Sequence, residues 1–141
     1  MDDAVRQRLV ASGWTPGRRV DADNDVVSLS GGGHPIWPGL VAFLQEFTGL
    51  TLSFVRNGRE DQVWFEAARA CQWIKRDWIK QYETMVGGTL SPIGYGYHDH
   101  MVLLAAEDGR FFGAYDDYVG FLGDSPCEMI ANLVTQRIEQ L

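Results

Sequence analysis

Basic side chains are scarce in the second part of this chain: residues 81–141 hold only Arg110 and Arg137, against nine carboxylates. The first 80 residues balance ten basic against ten acidic groups, so the whole net charge of −7 belongs to the later segment. A surface that grips nucleic-acid phosphates needs the opposite sign, which excludes direct DNA or RNA binding and makes a basic partner the natural complement. Cysteine is nearly absent. Cys71 and Cys127 are the only two, lie far apart on segments that read as helices, and suit buried free thiols in a reducing cytoplasm better than a disulfide framework. No apolar run approaches the roughly 18–20 residues that span a bilayer, and Met1-Asp2-Asp3 lacks the positive charge that opens a signal peptide. The expectation is a soluble, cytoplasmic protein.

Catalytic signatures are missing as well. No glycine-flanked serine elbow is present, and nothing marks either cysteine as an activated thiolate. Gly31-Gly32-Gly33 has no apolar strand before it and no Lys-Ser or Lys-Thr to close it, so it reads as a connector rather than a phosphate loop. His98-Asp99-His100 is the one metal-like cluster. In a strand its two histidines would share a face, but the third ligand a site needs is not in reach, and neither a metal nor another cofactor is expected.

What the chain does have is the means to bury a core. With 141 residues, 45% of them hydrophobic and 22% charged, it suits one globular domain over residues 1–141. Residues 3–12 pattern as a short amphipathic helix stopped by Gly13, and 21–30 as a second short helix with Val26, Val27 and Leu29 inward, an extended run being the alternative. Trp37, Leu40, Val41, Leu44 and Phe47 follow helical spacing, with Pro38 in the first turn and Gly49 at the exit. Leu50–Val55 and the run beginning at Val63 read as a hairpin about Asn57-Gly58. From Glu66, the residues Ala67, Cys71, Ile74, Trp78, Tyr82 and Met85 trace one helical stripe ended by Gly87-Gly88, leaving Lys75, Arg76 and Lys80 on a solvated face. Pro92-Ile93-Gly94 closes a strand. Met101–Ala106 and Phe111–Tyr115 then form the central hairpin, for which Asp108-Gly109 suits a two-residue type I′ turn. Asp116-Asp117 interrupts the strand and Tyr118–Leu122 resumes it at a sheet edge. Ser125-Pro126-Cys127-Glu128 is a capped start for a helix running to the end of the chain. The fold class is α+β, a mainly antiparallel sheet with helices packed against it.

Four of the five tyrosines, Tyr95, Tyr97, Tyr115 and Tyr118, fall in the stretch that carries Asp99, Asp116 and Asp117. Tyrosine supplies rigid contact area with a polar tip, and carboxylates steer a basic partner. Tyr97, Asp99, Tyr115, Asp116, Asp117 and Tyr118 are therefore the candidate partner-binding residues, on a hairpin with core on one face and partner surface on the other.

The order of Gly13-Trp14-Thr15-Pro16-Gly17-Arg18, Phe43-Leu44-Gln45-Glu46-Phe47-Thr48-Gly49-Leu50, Pro92-Ile93-Gly94, Asp108-Gly109-Arg110 and the helix start at Gly123–Glu128 resembles the SUKH superfamily, in particular its third subgroup of bacterial immunity proteins. The resemblance spans nearly the whole chain. It implies a cytoplasmic α+β protein that neutralises a polymorphic toxin, commonly a nuclease or nucleic-acid deaminase, by stoichiometric binding and without catalysis. Thr48 departs from the pattern, which often has a second glycine there. The tryptophan-rich stretch Trp64–Trp78 matches no motif of the family, and since immunity proteins vary most where they select their toxin, this region is a further candidate to share the interface. Two other readings stand beside this one: an intracellular adaptor of the same superfamily without a toxin partner, and a small metal enzyme using His98 and His100.

Overall fold

A computed structural model describes residues 2–141. Its centre is a seven-stranded antiparallel sheet whose strands lie in chain order: β1 (Thr51–Arg56), β2 (Arg59–Phe65), β3 (Leu90–Gly96), β4 (Met101–Ala106), β5 (Phe111–Tyr115), β6 (Tyr118–Gly123) and β7 (Glu139–Gln140). Three helices precede it, α1 (Asp3–Ala11), α2 (Asp23–Gly31) and α3 (Pro38–Phe47). Two more, α4 (Ala67–Trp73) and α5 (Arg76–Val86), connect β2 to β3, and α6 (Pro126–Thr135) connects β6 to β7.

Period-two alternation along β4 sorts its side chains into two cores. Met101, Leu103 and Ala105 join Leu52, Phe54, Val63 and Phe65 against α1, α3 and α6. Val102, Leu104 and Ala106 join Trp64, Tyr95 and Phe112 against Ile74 and α5. Every residue of β3 and β4 is buried. The central hairpin is thus covered on both faces, which corrects the expectation of a hairpin with one face open to a partner; β1 at the edge keeps one face exposed. Alternating strands with charged ends cannot distinguish one covering layer from two until the helices are placed.

Local chemistry explains most of the elements. Asp2 caps α1 by accepting from the Ala4 and Val5 amides, and Ser125 caps α6 by accepting from that of Glu128. The Gly13–Arg18 segment docks on the end of α3: the Trp14 indole donates to Glu46 Oε2 at 3.0 Å, and the Arg18 guanidinium donates to the carbonyls of Glu46 and Thr48. A cation is thus held against the negative end of that helix. Thr48 also donates its hydroxyl to the buried Asp25, whose other oxygen accepts from the Ala68 amide at 2.8 Å in the first turn of α4. Where the family pattern often has glycine, threonine here supplies a partner for a buried carboxylate.

Four local expectations need correction. The stripe from Ala67 to Met85 is two helices rather than one, because Ile74 (φ −136°, ψ 133°) and Lys75 (φ −95°, ψ 156°) are extended. The break resets the helical phase, so Ile79, Tyr82 and Val86 are buried while Trp78 and Met85 are exposed. Arg76 does not sit on a solvated face: it grips both oxygens of Glu83 at 2.9 and 2.8 Å and donates to the Leu90 carbonyl. Glu83 in turn accepts from the Leu90 amide at 2.8 Å, which fastens α5 to the start of β3. The 107–110 connection is not a type I′ turn, since only Gly109 (φ 97°) takes positive φ there while Asp108 accepts from the Arg110 amide and guanidinium. Finally, α6 stops at Gln136 (φ 59°), and the chain returns to pair with Gly120 and Phe121, satisfying backbone groups β6 would otherwise expose.

Gly94 lies at a register shift of β3, and a Cβ there would run into the Trp64 carbonyl. We expect Gly94→Ala to cost about 3 kcal/mol, read from urea denaturation. His34 is buried with Nδ1 unpartnered, and burial, then the nearby Arg76, hold its imidazole below its ordinary value of 6.5. The unfolded chain therefore takes up a proton first as pH falls, so this group's contribution is complete above about 6.5 and is lost below it. We expect His34→Gln to flatten the stability difference between pH 7.5 and pH 5 (working values set about 6.5) relative to the unmutated protein.

Candidate functional site

In an antiparallel meander, alternate turns fall at the same end. The β1–β2 turn at Asn57-Gly58, the β3–β4 turn at Tyr97–His100 and the β5–β6 turn at Asp116-Asp117 therefore converge, with the α4–α5 junction on one side and Gln136–Ile138 on the other. Four of the six candidate residues are brought together here, with Asp99 at the edge of the group and Tyr97 beneath it. Tyr115 and Tyr118 stack at 4.7 Å between ring centroids and 21° between planes, and His100 lies against Tyr115 at 4.6 Å. Asp116 and Asp117 are exposed at the tip, and among the described residues neither forms an ion pair.

Tyr97 behaves differently. Its ring is 8% exposed, packs on Phe54 and under the Arg56 guanidinium, and donates its hydroxyl to the Leu133 carbonyl at 2.7 Å. Burial pushes its phenol well above the ordinary range. Tyr95 is likewise internal, stacked on Trp64 and pushed up to about 12 by burial. The alternation that put these tyrosines in one sequence cluster gives no sign of which reach water.

The Tyr97–His100 turn is built on three successive left-handed residues, Tyr97, His98 and Asp99, with φ of 56°, 57° and 59°. Such conformations cost energy in L-residues and persist only when the surroundings hold them. Asp61 does much of the holding. Its carboxylate is almost wholly buried, accepts from Arg56 Nε at 2.7 Å, and accepts from the amides of Gln62 and His98 at 2.8 and 3.0 Å. Burial alone would raise its pKa, yet these bonds together hold it below the usual 3.8. Asp99 is tied down by the Trp64 indole. The HDH triplet is therefore a turn rather than a strand, with His98 and His100 both exposed. No group of three His, Cys, Asp or Glu residues suited to a metal occurs among the described residues.

Two of the grooves at this end meet at His100 and Tyr115. One, of about 770 Å³, lies between Arg56, His98, Tyr118 and Ile138. The other, of about 520 Å³, lies between the α4–α5 junction and the two turns, where Trp73 and Trp78 face Asp99 and Asp116. A hydrogen-bond chain fixes the second wall: the Trp78 indole donates to the Tyr82 hydroxyl at 2.8 Å, which donates to the Asp116 carbonyl at 2.9 Å. Trp73 and Trp78 fall in the Trp64–Trp78 stretch that the sequence marks as a further candidate for the interface, but nothing there singles out either one, and a single unbroken stripe put Trp78 in the core. The buried set Ile79, Tyr82 and Val86, at steps of three and four, was the signal that would have exposed it. The carboxylates of the acidic segment divide between the two ends of the sheet, and at the far end Asp108 and Glu83 are neutralised by Arg110 and Arg76.

Neither cysteine lies at this end as a nucleophile. Cys71 is half-buried in α4 and its thiol is pushed up to about 11 by burial and by Asp25, which leaves almost no thiolate near neutrality.

A family model described as SUKH-3 immunity protein matches residues 1–136. The chain belongs to the SUKH-3 immunity protein family. The matched span takes in the Gly13–Arg18 and Phe43–Leu50 segments, which the structure joins through Trp14, Arg18 and Glu46, and it stops short of β7. Searches of curated proteins and of solved structures find no significant match. Among the described residues, no helix is long and apolar enough to cross a membrane.

Removing the Asp61 charge leaves Arg56 and the strained turn without their anchor. We expect Asp61→Asn to cost about 2–4 kcal/mol and to abolish hydrogen-exchange protection of the His98 amide while protection in β4 persists.

Proposed function

We propose that this protein protects its host by binding a cognate polymorphic toxin, covering the toxin's cationic nucleic-acid groove with the acidic, tyrosine-bearing end of the sheet. The observation that carries this reading is the convergence of Tyr115, Tyr118, Asp116 and Asp117 on one solvent-facing tip, with Asp99 beside them, in a chain of an immunity family. A toxin acting as a nuclease or nucleic-acid deaminase needs positive charge to hold phosphates, and that charge attracts this tip. Inhibition is stoichiometric and cytoplasmic, and it calls for no catalytic group on this chain. Tyr97 contributes from beneath, by holding the turn that presents Asp99 and His100.

Complementary charge acts chiefly on the rate of encounter, which can reach about 10⁸–10⁹ M⁻¹s⁻¹ at low salt. Buried contacts set how long the complex lasts. The test is to look for a toxin-like reading frame beside this gene, co-express its product with this protein, and measure the affinity between them. Asp116 takes φ 47°, which asparagine tolerates, so the double variant Asp116→Asn, Asp117→Lys keeps the turn. We expect it to weaken toxin binding at least about tenfold, mostly through association rate, with an unchanged melting curve. Unchanged affinity would remove this tip from the interface.

A further inference from the structure

The groove between the α4–α5 junction and the two turns has a composition unlike the rest of the surface. Trp73 and Trp78 are 45% and 46% exposed, the only two tryptophans left open to this degree among the described residues. Both line the groove, opposite His100 and Tyr115. Three carboxylates, Asp77, Asp99 and Asp116, share that lining with a single ammonium, Lys75. Aromatic faces rimmed by carboxylates are the environment in which a cation binds best, through attraction to the ring quadrupoles and charge-assisted hydrogen bonds.

We propose that this groove receives an arginine side chain of the protein partner. Arginine suits it better than lysine because a planar guanidinium can lie flat on an indole and still present its N–H fork to a carboxylate, whereas an ammonium is a compact, strongly hydrated point charge. The chain already uses this pairing on the same aromatic cluster. Arg69 lies over the Trp64 ring at 4.0 Å and over Trp73 at 5.3 Å, while Trp64 and Trp73 both pack on Tyr95.

The groove is also held in place before any partner arrives. Trp78 is oriented by its bond to Tyr82, Tyr82 is bonded to the Asp116 carbonyl, and Asp99 is bonded to the Trp64 indole. Two opposite walls are therefore tied to the sheet, which lowers the ordering cost of binding. The inference deepens the proposed function by naming the partner's anchoring group, and it adds Trp73, Trp78 and Asp77 to the acidic tip.

The experiment needs no toxin. N-acetyl-arginine amide and its uncharged isostere N-acetyl-citrulline amide are titrated into the full chain, with the indole N–H resonances of Trp73 and Trp78 as the readout. We expect saturable shifts with the arginine probe, at least about fivefold weaker with the citrulline probe. Asp77 is fully solvated, so Asp77→Asn leaves the fold intact, and with Asp116→Asn it should weaken the arginine response at least about fivefold. Trp78→Phe keeps an aromatic face but drops the bond to Tyr82, and should weaken the response less than Trp78→Ala. Equal response to the two probes, or shifts confined to tryptophans outside the groove, would overturn the proposal. So would indole shifts that depend on protein concentration alone, which would mean that a second copy of the chain occupies the groove. If the arginine probe binds as expected while the variant Asp117→Lys, at a position outside the groove lining, keeps full toxin affinity, the groove stands and the toxin-binding tip falls; a probe that fails to bind while Asp117→Lys weakens toxin binding separates them the other way.

Discussion

The constraint on which the architecture depends is that the middle of the sheet is apolar on both sides. Strands β3 and β4 have no residue exposed to solvent, so two layers of helix must cover them. That requirement accounts for the long excursions before β1 and between β2 and β3. It also decides where a partner can be met. With both faces of the middle strands taken, the strained groups that remain accessible are gathered at the strand ends, while the outer face of β1, with Thr51, Ser53 and Val55, stays open along the strand.

The second layer is fastened by few polar contacts. The Arg76–Glu83 pair bonds to both the amide and the carbonyl of Leu90, and the Tyr82 hydroxyl reaches the Asp116 carbonyl. A partly buried pair of this kind adds little net stability compared with apolar packing, but its geometry admits only one arrangement of helix and strand. The first layer is fastened differently, by Trp14, Arg18 and Asp25 meeting the end of α3 and the start of α4. Two of the segments that carry the family resemblance, Gly13–Arg18 and Phe43–Leu50, meet at this second fastening.

Much of this was legible in the sequence. The central hairpin, the Asn57-Gly58 turn, the proline starts of α3 and α6 and the serine cap all follow from local chemistry and lie where that chemistry puts them. The break at Ile74-Lys75 was not legible, since neither glycine nor proline marks it and the contact that accompanies it, Arg76 donating to the Leu90 carbonyl, joins the helix to a strand fourteen residues on. The same limit applied to the tip. Asp116 and Asp117 could be read as a turn, whereas the burial of Tyr95 and Tyr97 depends on a covering helix layer and on Leu133, all distant in sequence. Trp78 was hidden by the phase error that the helix break introduces.

The turn at Tyr97–His100 bears on how such a protein can change its partner. Three consecutive positions held left-handed disfavour β-branched residues and tax most others, and tyrosine at 97 is kept there by its buried ring and its bond to the Leu133 carbonyl, so few substitutions are open. New specificity is more cheaply written on the flank formed by α5, which has ordinary helical backbone and exposed side chains. The tip then works as a fixed frame, and diversity is expected to accumulate around it rather than on it.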